Sequence, residues 1–359
     1  MTGSSVSVSG TEPKVRLPRD ARVLVIVIAR IGDTLMMTPV LRALRAAIPD
    51  GELVCMAHPT RIAVLEGLPY LDDLMPIEKK RAPLMGRLPR RRFDYAVVNA
   101  TDAAVLEYAL RAADRVVAHK QADPAINGRL WRIAASGEGT HHGVDDRMLM
   151  LEPFDIAPSG RRLDFVVSTD EAEKAEAWLA ARGVAVGRDA ALLVGLQMAG
   201  FRTEPFRRWP TESFASLCER VAAARPGARV IVFGDRYDIP EAEVLRQALG
   251  ERVVIAAGQL DLRESAAVLA RTSLYIGVDT GPTHLAGALG LPMIGLYFCR
   301  CPGALLAPLE HPAFLEIVEH PRSLEQCDDS ASMAEVSVDR VWAAVENFLR
   351  WRAGQRPGE

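Results

Sequence analysis

Two kinds of segment alternate along this chain. Continuous apolar runs of strand length, such as RVLVIVI at 22–28, are typical of parallel strands buried on both faces. Between them lie stretches with apolar residues at helical spacing, such as Leu41, Leu44 and Ile48. Strands separated by helices of about ten residues predict parallel sheets and an α/β fold.

The alternation occurs twice, with a looser, proline-containing stretch at 151–160 between the two halves. We therefore predict two Rossmann-like domains facing across a cleft, at 20–160 and 161–336. The Ser/Gly/Thr-rich residues 1–19 are expected to be a flexible tail, and 337–359 a final helix able to pack back on the first domain. The pattern predicts strands at 22–28, 52–56, 94–99, 115–118, 191–196, 229–233, 252–256, 274–278 and 293–298, and helices at 171–182, 211–224, 240–249, 262–271 and 338–352. Thr169 and Asp261 are the expected caps of two of these helices.

One strand–helix–strand unit, at 273–298, carries an unusual set of polar residues. Its first strand ends at Asp279-Thr280-Gly281-Pro282, where a helix is expected to begin. Free N–H groups at such a helix end favour an anion, with Gly281 permitting close approach and His284 able to donate a hydrogen bond. This pattern predicts a phosphate site. A plain strand-to-helix turn capped by Thr280 is the alternative that turn chemistry alone leaves open.

A second loop of the same kind follows the first strand, at 29–33, with Thr38 expected to cap the helix after it. It places Gly32 and Asp33 at a strand's carboxyl end, so the two loops are predicted to face each other. On the loop sequence alone, Asp33 is either a catalytic carboxylate or a helix N-cap.

Composition narrows the class of protein. The formal net charge of −3 over 359 residues argues against a general nucleic-acid binder. An odd count of five cysteines, without a signal peptide, suggests a reducing, cytoplasmic location. No apolar run reaches the length of a membrane span, so at most peripheral contact with the cytoplasmic membrane face is expected. The basic segment 78–92 is either a solvated loop or a positive surface for an anionic acceptor or lipid head groups.

The sequence contains little that indicates a cofactor-binding or metal-binding site. No G-x-G-x-x-G follows a strand, which disfavours a dinucleotide-dependent oxidoreductase. No D-x-D occurs, and we predict neither a metal nor a cofactor. Cys299, Cys301 and Cys327, with two histidines, could be read as a metal cluster, but the spacing matches no zinc pattern. We therefore expect reduced structural cysteines.

Three blocks together resemble one known family. They are RIGDTLMMTPVLRALRAAIP from Arg30, Arg207-Arg208-Trp209-Pro210, and VDTGPTHLAGALGLPMIGLY near the end. In this order they resemble glycosyltransferase family 9, the ADP-heptose:lipopolysaccharide heptosyltransferases, which have the two-domain GT-B fold. The resemblance covers about 22–349.

The resemblance implies an inverting transfer of a heptose from an ADP-sugar donor to an acceptor hydroxyl of an anionic glycan or glycolipid, with Asp33 as general base. Leu260 would pack on the nucleobase and Glu241 would reach the ribose. The implied donor-phosphate residues are Thr203, Arg207, Asp279, Thr280, Gly281 and His284; the expected acceptor-side residues are Arg30, Gly32, Arg90, Arg91 and Arg92. The family usually has lysine where this chain has Arg207. A transferase using another nucleotide sugar, or a non-catalytic nucleotide-sugar-binding scaffold, remains an alternative.

Overall fold

The fold is described from a computed structural model, which covers residues 13–80, 82, 92–137, 139–187, 190–198 and 203–354. In chain order its strands are β1 Arg22–Val27, β2 Glu52–Ala57, β3 Asp73–Pro76, β4 Phe93–Asn99, β5 Ala113–His119, β6 Arg132–Ala134, β7 Leu193–Gln197, β8 Arg229–Phe233, β9 Val253–Ile255, β10 Leu274–Val278, β11 Met293–Tyr297 and β12 Leu315–Glu319. The helices are α1 Ile31–Leu35, α2 Thr38–Ala47, α3 Ala103–Ala112, α4 Pro124–Asn127, α5 Gly143–Met148, α6 Thr169–Ala180, α7 Thr211–Ala224, α8 Ile239–Leu249, α9 Leu262–Leu269, α10 Gly281–Ala288, α11 Gly303–Leu306 and α12 Val338–Gly354.

The strands form two parallel six-stranded sheets, as the alternating pattern predicts. The first has the order β3-β2-β1-β4-β5-β6 and the second β12-β11-β10-β7-β8-β9. In β1, Val23 to Ile26 are fully buried, as expected for a strand covered on both faces. The strand order reverses between β1 and β4 in one sheet and between β7 and β10 in the other. Ligands of open α/β sheets bind outside the carboxyl ends of strands at such reversals.

Both chain ends differ from the sequence expectation. Part of the predicted flexible tail is paired, because Val15 forms a parallel bridge with Phe154 and Leu17 is buried. The final helix α12 packs on α7 and β12 of the second sheet rather than on the first domain. Its Phe348 and Trp351 contact Phe314 edge-on and at a tilt, so this helix completes the second core.

Three helix caps were assigned from sequence and one of them is correct. Asp261 caps α9 and forms a capping box with Glu264. Helix α6 is capped by Ser168, not Thr169, because the Ser168 hydroxyl accepts from the Glu171 N–H. Thr38 lies inside α2, and its hydroxyl donates to the Leu35 carbonyl at 2.8 Å instead of capping.

The expectation of reduced cysteines is wrong for one pair. Cys299 and Cys327 form a disulfide with a Cα–Cα distance of 5.6 Å, while Cys55, Cys218 and Cys301 are free. The bond ties the end of β11 to the irregular segment that follows β12. An ion pair between Arg300 and Asp329 joins the same two segments at 2.5 Å.

Removing this disulfide should destabilise the second domain. The cysteines are 28 residues apart, and closing a loop of that length contributes about 3.6 kcal/mol through the unfolded chain. We expect the Cys299→Ser/Cys327→Ser variant to lose about that free energy of unfolding in urea titrations, whereas Cys301→Ser should change it little. An unfolding midpoint of the native protein that does not respond to reductant would contradict the structural role.

Candidate active site

A cavity of about 790 Å³ lies between the two sheets at their carboxyl edges. The loop after β1 lines one side, and the loops after β7, β8, β9 and β10 line the other. Both reversals of strand order therefore open onto the same space. This is the position at which the fold predicts a ligand site.

The donor-side wall is the start of α10. Thr280 occupies the N-cap position, but its hydroxyl donates to the Val278 carbonyl at 3.2 Å and caps no N–H of the helix. Pro282 has no N–H, and the Thr283 N–H donates to the Thr280 carbonyl at 3.0 Å, so Gly281 supplies the N–H of the first turn that can meet an anion. The phosphate site at this turn stays a prediction, which the orientation of the helix start favours.

Asp279 organises the charged groups beside this turn. One of its carboxylate oxygens accepts from Arg207 Nη2 at 2.7 Å, and the other lies 3.5 Å from His284 Nε2. Arg207 Nη1 also donates to Glu204 at 2.7 Å. Asp279 and His284 are both buried. The Cys301 thiol lies nearby, and its own burial raises its pKa. The guanidinium is thus held in place at the cavity wall by two carboxylates.

Asp33 faces the cavity from the first domain. It is the third residue of α1, whose N-cap is Arg30, so the helix-cap interpretation of Asp33 is wrong. Its Oδ1 accepts from Arg147 Nη2 at 2.5 Å, and the same arginine donates through Nη1 to the Gly143 carbonyl at 2.6 Å. The Asp33 side chain is 36% exposed, which leaves it accessible from the cavity.

The two loops touch across the cleft. A Cβ placed on Gly32 would lie 2.4 Å from His284 Cδ2, and one placed on Gly281 would lie 3.0 Å from Ile31 Cβ. The missing side chains allow α1 and α10 to meet. Gly281 therefore serves a close approach between domains, in addition to its place at the anion-binding turn.

The structure brings together most, but not all, of the predicted residues. Those that line the cavity are Arg30, Gly32, Asp33, Arg207, Leu260, Asp279, Thr280, Gly281 and His284. Thr203 is exposed and is not part of the lining, so its phosphate role stays a prediction.

Two predicted residues lie elsewhere. Glu241 was expected at the ribose, but its carboxylate accepts from Arg208 Nη2 at 2.8 Å outside the cavity lining. Arg92 precedes β4 at the amino edge of the first sheet, where it pairs with Asp114. That edge is opposite to the cleft, so Arg92 is not an acceptor-side residue. Arg90 and Arg91 lie outside the described residues.

Several lining residues were not predicted from the sequence. Asp235 and Asp238 follow β8 and line the cavity, whereas Glu241 does not. Arg61, after β2, reaches the cavity from the first domain. The sequence signal for these residues is a charged side chain just after a strand's carboxyl end, the same signal that marks Asp33 and Asp279.

In the described parts of the chain, no group of three or more His, Cys, Asp or Glu residues is placed to hold a metal ion. Within the same residues, no helix is both long and apolar enough to cross a membrane.

Comparison with known proteins agrees with this geometry. The profile of glycosyltransferase family 9 (heptosyltransferase) matches residues 82–313, more than half of the chain. The chain belongs to this family. A family 9 protein of Veillonella parvula has a similar structure, with a TM-score of 0.80 at 19% identity, covering 94% of this chain and 99% of that one.

Characterised heptosyltransferases are among the similar proteins. Lipopolysaccharide heptosyltransferase 3 of Escherichia coli is 23% identical over 286 residues, which cover 74% of this chain and 80% of the relative. An E. coli heptosyltransferase solved with ADP has a TM-score of 0.69 at 18% identity, covering 91% of this chain and 99% of that one. The family 9 chain therefore has the expected GT-B architecture.

His142 is a buried imidazole beside the site. Its Nδ1 accepts from the Val144 N–H, and Asp145, His284 and Arg161 are the charged or titratable groups around it. Burial lowers the pKa of His142 below its ordinary 6.5, and burial lowers that of His311 as well. The unfolded chain consequently binds more protons near pH 6 than the folded chain does.

The free energy of unfolding should therefore fall as the pH drops from about 8 to about 6. Urea titrations at the two pH values measure this difference. A His142→Asn/His311→Asn variant should show a smaller difference than the native chain, since it lacks both buried imidazoles. An equal pH dependence in the two proteins would contradict the assignment.

Proposed function

We propose that this protein transfers a heptose from ADP-heptose to an acceptor hydroxyl by a single inverting displacement. The observation that carries the proposal is the shared cavity, which Asp33 and the anion-binding turn at Thr280 face from opposite domains. Relatives named as heptosyltransferases, and similar structures solved with ADP and an ADP-heptose analogue, support this donor.

The leaving group is a nucleoside diphosphate, so negative charge develops on phosphate oxygens as the glycosidic bond breaks. The helix end at Gly281, with Arg207 and His284 beside it, supplies donors already directed at that position. No metal ion is part of the proposal, because these groups take its place. Asp235 and Asp238 are suited to the ribose hydroxyls.

On the opposite side, Asp33 accepts the proton of the acceptor hydroxyl while the oxygen attacks the anomeric carbon. The new C–O bond forms as the bond to the β-phosphate breaks, and ADP departs with the electron pair. Arg147 occupies Oδ1, which leaves Oδ2 for the incoming proton. A carboxylate is a weak base, so positioning contributes more than basicity.

Replacing Asp33 tests the reaction. We expect Asp33→Asn to lower ADP release from ADP-heptose, in the presence of a lipopolysaccharide-core acceptor, by about 100-fold or more, because a general base contributes roughly 10²–10⁴-fold. ADP affinity, measured by calorimetry, should be unchanged. Asp114→Asn, at the far edge of the sheet, is the matched control.

The two alternatives have distinct outcomes in these assays. Undiminished turnover in Asp33→Asn would contradict the role of Asp33 as general base. Tight ADP binding by a native protein that never turns over would instead favour a non-catalytic scaffold, and turnover with a different nucleotide sugar would change the donor.

For the acceptor, we propose an anionic group that binds Arg61. This side chain lines the cavity from the first domain, and its guanidinium makes no ion pair with any residue that the structure describes. Arg207, by contrast, is already held by two carboxylates. An acceptor embedded in a membrane, such as a lipopolysaccharide precursor, would also require peripheral contact with that surface.

Arg61→Gln should raise the KM for such an acceptor about tenfold, because a hydrogen bond to a charged group contributes roughly 1.5–3 kcal/mol. ADP affinity should stay the same. Arg92→Gln serves as the control and should leave the acceptor KM unchanged. If Arg92→Gln raised the acceptor KM and Arg61→Gln did not, the acceptor would bind at the basic segment 78–92 instead.

A further inference from the structure

His142 connects the two halves of the molecule. Its Nδ1 accepts from the Val144 N–H at 3.1 Å and caps α5, while Nε2 lies 2.8 Å from the carbonyl oxygen of Ala307. Since Nδ1 is an acceptor, the proton of the neutral ring is on Nε2, which donates to Ala307. Both bonds are buried.

The two ends of this connection lead to different sides of the cavity. Ala307 directly follows α11, whose last residue, Leu306, lines the cavity within the second domain. Helix α5, at the other end, carries Arg147, the partner of Asp33.

Helix α5 also has little freedom to shift by itself. Gly143 lies against Met36, and a Cβ at that position would be 2.7 Å from the Met36 sulfur. Arg147 is 14% exposed and is bonded at Nη1 to the Gly143 carbonyl. A displacement of the start of α5 would therefore move the guanidinium that holds Asp33.

We propose that His142 is a positioning residue, which ties α5 to the second domain so that the docking of the two domains sets the orientation of Asp33 through Arg147. The inference rests on the proposed role of Asp33 as the base. The Ala307 carbonyl, on the donor side of the cavity, is in this way connected through His142, α5 and Arg147 to Asp33 on the acceptor side.

His142→Asn keeps one of the two hydrogen bonds of the imidazole and removes the other. Asparagine is a good N-cap and keeps α5 capped, but its side chain is too short to reach Ala307. The Ala307 carbonyl then loses its partner and is left buried without a hydrogen bond. We expect kcat to fall about tenfold, with ADP affinity within twofold of the native value because Arg207 and the α10 turn are untouched.

His311→Asn is a matched control. The imidazole of His311 also lies 2.8 Å from a backbone carbonyl, that of Leu291, and it is half-buried away from the cavity. It should lose an equivalent bond without a change in kcat. Equal losses of kcat in the two variants would reduce His142 to a general structural role and overturn the proposal.

A double-mutant cycle tests the route through Arg147. If His142 acts on Asp33 through Arg147, adding His142→Asn to an Arg147→Gln background should lower kcat by less than twofold. Independent, multiplicative losses would show that His142 acts by another route and would overturn the proposal.

Amide hydrogen exchange provides a measurement that needs no turnover. The amides of Gly143–Met148 should exchange several times faster in His142→Asn than in the native protein or in His311→Asn, because the tie to Ala307 is gone. Unchanged exchange in α5 would overturn the tie. If Asp33→Asn retained full turnover while α5 exchange rose as expected, the proposed base would fail and the tie would stand.

Discussion

The contact between Gly32 and the ring of His284 sets the geometry of the cleft. Each residue lies just beyond a strand's carboxyl end, at the point where strand order reverses in its own sheet. A side chain on Gly32 would collide with the ring, so only glycine lets α1 approach α10 this closely. The approach places Asp33, one residue later, on the wall facing the anion-binding turn. The packing of the domains and the position of Asp33 thus depend on the same contact between Gly32 and His284.

The ion pairs of Arg207 suit an arginine at the position where the resembled family usually has lysine. Arg207 is bound by Glu204 and Asp279 together, through different nitrogens of one planar group. A guanidinium has five N–H donors in a fixed fork, so it can satisfy two carboxylates and still direct a donor at a phosphate. An ammonium has three donors on a flexible stem. The two acids beside Arg207 are consistent with a site built for the larger group.

The sequence predicted the central strands well because they are buried on both faces and read as unbroken apolar runs. It missed β3, β6 and β12, which are edge strands. The first two are short, and in β12 the apolar residues are interrupted by Glu316, so no continuous apolar run is present. The facing of the two loops followed from their positions at the carboxyl ends of predicted strands. The pairing of Asp33 with Arg147 did not, because the two are 114 residues apart and nothing local marks α5 as their meeting point.

Helix caps and the disulfide failed for a related reason. At the start of α6 both Ser168 and Thr169 are capable caps, and the choice between them depends on which hydroxyl meets the Glu171 N–H. Cys299 and Cys327 have no recognisable spacing, and their bond follows from how the segment after β12 folds back on β11. In both cases the local sequence identifies which residues could form the cap or the disulfide, and the tertiary structure determines which of them do.

The segment joining the domains is held at both ends by partly buried arginines. Arg42 of α2 donates to the carbonyls of Ser159, Gly160 and Arg162, which fixes the start of the segment on the first domain. Arg263 of α9 donates to the Val166 carbonyl and also to that of Ala63 in the first domain. These bonds restrain the linker and the second domain at the rim of the cleft, away from the Gly32 contact. Two separated regions of contact restrict rotation between the domains far more than one does. The single hydrogen bond from His142 to Ala307 therefore acts on domains whose relative orientation is already restrained.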